Sequence, residues 1–159
     1  MTLQRVPRVW FRLESPSTRG ARGDLLRMLE KHLSAHVGPV RSFRLPMLPV
    51  TQLMLNAAGS EFLVALLHDK HAGQGGGAWL LTINPLDYPV PKRNLPKEAE
   101  MKYANGLMLI SHEIEGLLTN TPTVTRQRWF FEGWESNKPG VRTPAELPWH
   151  VDAPELRGA

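Results

Sequence analysis

The 159-residue sequence contains no cysteine. This absence excludes disulfide bonds, thiolate ligands for zinc or iron–sulfur clusters, and a thiol nucleophile. Chains without disulfides are typical of reducing compartments. The composition therefore favours a cytoplasmic protein and removes a large group of catalytic chemistries.

Long apolar stretches are also missing. The longest compact run, FLVALL at 62–67, is far shorter than the roughly 18 residues that a membrane-spanning helix needs. The N-terminal stretch MTLQRVPRVWFRLESP has arginines and a proline where a signal peptide would have an unbroken apolar core. We therefore expect a chain that does not cross a membrane and that stays in the cytoplasm.

The conspicuous stretch HDKHAGQGGGAWLL, at 68–81, lacks the context of a ligand site. A phosphate-binding glycine loop leads into the start of a helix, whereas these glycines lead into the strand-like run AWLLTIN. His68, Asp69 and His71 are suitable metal ligands, but neighbours in an extended chain point to opposite sides. The stretch predicts a glycine-rich connection between two strands, with neither a metal nor a cofactor.

A second polar motif, SHEIEG at 111–116, matches only part of the zinc-protease helix motif, because Gly116 stands where the second histidine would be. Ser111, His112 and Glu113 cannot form a relay either, because neighbouring helical side chains point about 100° apart. We place these polar residues on the solvent face of a helix. Without a nucleophile, cofactor loop or paired catalytic carboxylates, the sequence predicts a protein that is not an enzyme.

Two segments of the chain show helical periodicity, at about 24–37 and 97–118. Apolar residues recur every three or four positions in both segments, namely Leu25, Leu29, Leu33 and Val37 in the first and Tyr103, Leu107, Ile110, Ile114 and Leu117 in the second. Asp24 is expected to cap the first helix and Gly38 to end it. These helices are the main helical elements that the sequence predicts.

The remaining patterned segments read as strands in the order β-α-β-β-β-β-α-β. The segment EFLVALLHD, at 61–69, is apolar at both odd and even positions, which is typical of a central strand covered on both faces. The order predicts an α+β fold, a two-layer sandwich with a mostly antiparallel sheet of about five to six strands and both helices on one face. We expect one domain at 1–134 and a proline-rich C-terminal tail at 135–159 packed on it.

Basic residues are concentrated at the start of the chain, where residues 1–44 hold nine arginines and lysines against three acidic residues. In the first strand they alternate with apolar residues, and the last strand shows a similar pattern. The positions expected to share one side are Arg8, Trp10 and Arg12 in the first strand and Arg126, Arg128, Phe130 and Trp134 in the last.

If these two strands are neighbours, their side chains form a basic aromatic platform. Such a platform suits single-stranded nucleic acid or an acidic partner. The alternative is structural, because arginine stems also cover aromatic rings in ordinary packing.

The segment STRGARGD, at 17–24, is the best candidate for binding an anion. It connects a predicted strand to a helix and offers hydroxyl and guanidinium donors near the positive end of that helix. The candidate residues are Ser17, Thr18, Arg19 and Arg22. The alternative interpretation is an ordinary basic surface loop.

Together these observations favour a small, non-enzymatic cytoplasmic binding protein that acts through a protein–protein interface, such as an inhibitor or an immunity-type factor. The alternative function is nucleic-acid binding through the basic aromatic platform. The sequence predicts a protein partner and no cofactor, and it leaves the oligomeric state open.

Overall fold

The computed structural model describes residues 7–14, 21–44, 51–68, 78–88, 97–135 and 138–142. These residues form an α+β fold in which two helices pack against an antiparallel sheet, as the sequence predicts. The elements in chain order are β1 (Arg8–Glu14), α1 (Ala21–His36), β2 (Val40–Arg44), β3 (Thr51–Ala57), β4 (Ser60–His68), β5 (Ala78–Pro85), α2 (Lys97–Thr119), β6 (Arg126–Glu135) and β7 (Lys138–Arg142).

The described strands form one seven-stranded sheet in the order β2-β3-β4-β5-β1-β6-β7. Every neighbouring pair is antiparallel. The first strand, β1, lies between β5 and β6, so that Phe11 pairs with Leu81 on one side and with Trp129 on the other. The condition for a basic aromatic platform is therefore met, because the two strands that carry it are neighbours.

The hydrophobic core lies between one face of the sheet and the two helices. Alternate strand residues point into it, including Phe11, Phe62 and Leu81, which are fully buried. The leucine stripe predicted for α1 is buried at its first three positions, and α2 buries Leu107, Ile110 and Ile114 completely. Among the described residues, no helix is long and apolar enough to cross a membrane.

The start of α1 and the segment after β6 differ from the sequence prediction. Helix α1 begins at Ala21, so Asp24 lies within its first turn, where it pairs with Arg27, and does not cap the helix. Strand β7 occupies part of the segment predicted as a tail and pairs with β6. Local sequence patterns do not indicate this strand, because Pro139 and Gly140 are unfavourable within strands. Proline is nevertheless tolerated in β7 because this strand lies at the edge of the sheet.

The expectation that the SHEIEG residues lie on a solvent face is wrong for two of them. Ser111 is fully buried and Glu113 is 4% exposed. Glu113 Oε2 lies 3.0 Å from His32 Nε2 in α1, so the carboxylate joins the two helices. A buried carboxylate is tolerated when it has such a partner, and the partner comes from a residue 81 positions away that no local pattern identifies.

Helix α2 approaches the sheet closely at Gly106. A Cβ atom added to Gly106 would lie 2.4 Å from two ring atoms of Phe62 and 2.9 Å from the carbonyl oxygen of Ala57. Both distances are shorter than van der Waals contact, and the second involves backbone that cannot rotate away. Glycine is therefore required at this position if α2 is to lie at its observed distance from β3 and β4.

We predict that Gly106→Ala lowers the free energy of unfolding by about 1–3 kcal/mol, because overpacking costs more than alanine's helix propensity returns. Gly116→Ala in the same helix is the control, since nothing lies within 4 Å of its added Cβ. This control should gain about 0.5–1 kcal/mol. Urea unfolding of both variants checks the prediction, and equal stabilities would contradict the close approach of α2.

Candidate functional site

The face of the sheet turned away from the two helices, here named the open face, carries the candidate site. Its side chains alternate along each strand with those of the core. By register and alternation its described side chains are those of Arg8, Trp10, Arg12, Glu14, Arg41, Phe43, Gln52, Met54, Asn56, Glu61, Leu63, Ala65, Leu67, Leu80, Thr82, Asn84, Arg128 and Phe130.

A single row of residues crosses the middle of the open face through six strands. Its members pair in succession, in the order Phe43, Gln52, Ala65, Thr82, Trp10 and Phe130. At a strand spacing of about 4.8 Å, the row is about 24 Å long. Small or short side chains occupy its centre, and aromatic rings occupy both of its ends.

The end of this row that lies in β1 and β6 contains two stacked aromatic rings with an arginine beside them. The ring centroids of Trp10 and Phe130 lie 4.5 Å apart with an interplanar angle of 30°. The guanidinium carbon of Arg128 lies 5.3 Å from the centroid of Phe130, which is the geometry of a cation–π contact. Arg128 also stands directly opposite Arg12 in the register, so two exposed arginines are neighbours here.

Acidic residues occupy the register positions at both ends of this arginine pair. Arg8 of β1 pairs with Glu132 of β6, and Glu14 of β1 pairs with Arg126 of β6. Arg8, Arg12 and Glu14 each take part in a polar, ionic or ring interaction within the chain. The charges of the two strands are therefore interleaved, which the sequence-based picture of a purely basic platform did not include.

The central part of the row contains a buried polar atom that has no hydrogen-bond partner among the described residues. Gln52 is 6% exposed, and its Oε1 atom is buried without a hydrogen-bond donor among the described residues. Buried polar groups in proteins are nearly always hydrogen-bonded, because an unpaired one costs free energy. Gln52 Oε1 is thus a buried acceptor that has no donor among the described residues.

Strand β4 presents apolar side chains on both of its faces, as the sequence predicts. Phe62, Val64 and Leu66 are buried against the helices. On the open face, however, Leu67 is 41% exposed. The sequence predicts that both faces of β4 are covered, but neither helix covers the face that carries Leu67.

The predicted site residues fall into four groups. Arg8, Trp10, Arg12 and Arg128 come together on the open face as expected, whereas for Arg126 and Trp134 the structure describes only their positions in β6. Of the predicted anion site, Ser17, Thr18 and Arg19 lie outside the described residues. Arg22 lies in the first turn of α1 and is separate from the open face.

Phe43, Gln52 and Met54 also belong to the open face, although no local sequence pattern indicates that they share it with Trp10. They belong to β2 and β3, at the opposite edge of the face from β6. Their alternation with core residues was the available signal, but only the strand order shows that they share a row with Trp10. Strand order depends on contacts between distant residues and is not contained in local periodicity.

Neither metal-ligand clusters among the described residues nor comparisons with known proteins indicate a function. The described part of the chain contains no group of three or more histidine, aspartate or glutamate residues that could hold a metal ion. Searches against protein-family models, curated proteins and solved structures found no match to this chain. The function must therefore be argued from the geometry of the open face.

We predict that the stacked pair is energetically coupled. In a double-mutant cycle of Trp10→Ala and Phe130→Ala, the interaction free energy in urea unfolding should be about 0.5–1.5 kcal/mol. The control cycle combines Trp10→Ala with Phe43→Ala at the far end of the row, where coupling should stay below about 0.5 kcal/mol. Equal coupling in the two cycles would contradict the stacked geometry.

Proposed function

We propose that this protein is a binding protein whose open face docks an acidic protein partner. The observation that carries this proposal is the Trp10–Phe130 stack with Arg128 beside it, on a sheet face that neither helix covers. Tryptophan and arginine are the residue types most often found at energetically dominant positions of protein interfaces.

Incomplete burial of the open face supports a partner that covers it. Leu67 exposes 41% of its surface, and both Leu80, which pairs with it, and Leu63, four residues earlier in β4, are half-buried. These leucines and the Trp10–Phe130 stack share the open face with charged residues, and a mixture of apolar and charged side chains is usual at an interface.

The charge of the open face favours an acidic partner. Its arginines are Arg8, Arg12, Arg41 and Arg128, whereas its acidic residues with described side chains are Glu14 and Glu61. Arg41 lies 3.8 Å from Glu61, which leaves the excess positive charge around the aromatic stack. Complementary charge on a partner would accelerate association and select against basic proteins.

The same geometry is less suited to single-stranded nucleic acid. Bases bind aromatic side chains by stacking on free ring faces, whereas Trp10 and Phe130 stack on each other and Arg128 covers Phe130. These contacts support the protein partner over the nucleic-acid alternative.

An inhibitor or immunity-type factor is one role that such docking would serve. In that role the open face would cover the functional surface of an enzyme or toxin, and no catalytic group would be needed on this chain. We propose this inhibitory role as the specific purpose of docking at the open face.

The proposal predicts that reversing one charge on the open face disrupts partner capture. Immobilised wild-type protein should recover a stoichiometric acidic protein from an extract of the cells that make it. Arg128→Glu should reduce this capture by at least about tenfold, the loss typical of a dominant interface residue. Lys31→Glu, an equal charge reversal on an exposed position of α1, should change it less than about twofold.

Equal capture by the two variants would contradict docking at the open face. The nucleic-acid alternative is tested with a single-stranded oligonucleotide and the Trp10→Ala variant. A tenfold loss of oligonucleotide affinity in this variant, with a steep dependence on salt, would favour the alternative function.

A further inference from the structure

The side chain of Arg22 is held in an unusual environment on the opposite side of the sheet from the open face. Its Nε–H donates a hydrogen bond of 2.9 Å to the carbonyl oxygen of Leu66 in β4. Its Nη2 atom is buried and has no acceptor among the described residues. The Nε side of the guanidinium is therefore fixed by the backbone, whereas Nη2 has no acceptor among the described residues.

A second arginine stands close to this group. Thr51 of β3 pairs with Arg44 of β2, and the register of β3 against β4 places Leu66 on the other side of Thr51. Alternation from the core residue Leu53 puts Thr51 and Arg44 on the helix side of the sheet. Arg44 is thus only two strand spacings, about 10 Å, from the carbonyl that anchors Arg22.

The proximity of the two arginines is unfavourable in the protein alone. Burial, and then the charge of Arg44, lower the pKa of Arg22 from its ordinary value. Arginine nevertheless remains charged at all physiological pH values, so it cannot relieve the repulsion by losing a proton. Among the described residues, no carboxylate pairs with either guanidinium.

We propose that Arg22, Arg44 and Thr51 form a binding site for a phosphate group. Two guanidinium groups supply several N–H donors and two positive charges, and the threonine hydroxyl can donate a further hydrogen bond. An oxyanion between them would supply the acceptor that Arg22 Nη2 lacks. The site is independent of the open face and uses only residues from α1, β2 and β3.

Phosphate-dependent thermal stability tests the site. Wild-type protein is unfolded in sodium phosphate and in sodium chloride of matched ionic strength, and the rise in Tm is compared with that of Arg44→Ala and Arg41→Ala. Arg41 is the control because it is an exposed arginine of the same strand on the other face of the sheet.

For a Kd of about 1 mM, 20 mM phosphate should raise the Tm of the wild type and of Arg41→Ala by about 4 °C more than that of Arg44→Ala. In chloride, Arg44→Ala should be no less stable than wild type, because the substitution removes a repulsion. A Tm rise of the same size in all three proteins would show only the general stabilising effect of phosphate salts, and it would overturn the site.

Methyl phosphate distinguishes the two sources of the ligand. A shift equal to that of inorganic phosphate would show that the site accepts a phosphate monoester, the form that a larger phosphorylated molecule presents, whereas a smaller shift would show a preference for the free anion. With either compound, Arg44→Ala must abolish the Tm shift if the site is correct. A Tm shift that survives this substitution would contradict the site.

Discussion

The packing of both helices against one face of the sheet is the constraint on which the rest of the structure depends. Strand side chains alternate between faces, so each core residue on the helix side fixes which neighbours stand on the open face. Gly106 sets the distance of α2 by allowing the ring of Phe62 and the backbone of Ala57 to contact the helix directly. The surface that we assign to partner binding is thus the necessary reverse side of a well-packed core.

Local periodicity was sufficient to predict the elements of this fold but not their assembly. The leucines of α1 and the apolar stripe of α2 identify both helices because the buried positions recur with the helical repeat. The stacking of Trp10 on Phe130 depends on β1 entering the sheet beside β6, which is set by contacts more than 100 residues apart in sequence. Glu113 was misplaced for the same reason, since its partner His32 lies in another helix.

Arginine has two different environments in this protein. On the open face, Arg128 lies beside an aromatic ring and remains exposed, so its charge is available at low cost to a partner. On the helix side, Arg22 is fixed to a backbone carbonyl and stands beside Arg44 without a carboxylate among the described residues. The sequence identifies both as basic positions, but the difference in burial and partners, which determines what each can bind, appears only in the folded chain.

The most direct test of the account is hydroxyl-radical footprinting of the protein free and in complex with its captured partner. Trp10 and Met54 report on the open face, and Met28, 37% exposed on α1, reports on the helix side. If the partner docks on the open face, it will slow the oxidation of Trp10 and Met54 and leave that of Met28 unchanged. Protection of Met28 with unchanged oxidation of Trp10 would contradict docking on the open face, because the partner would then bind the helices.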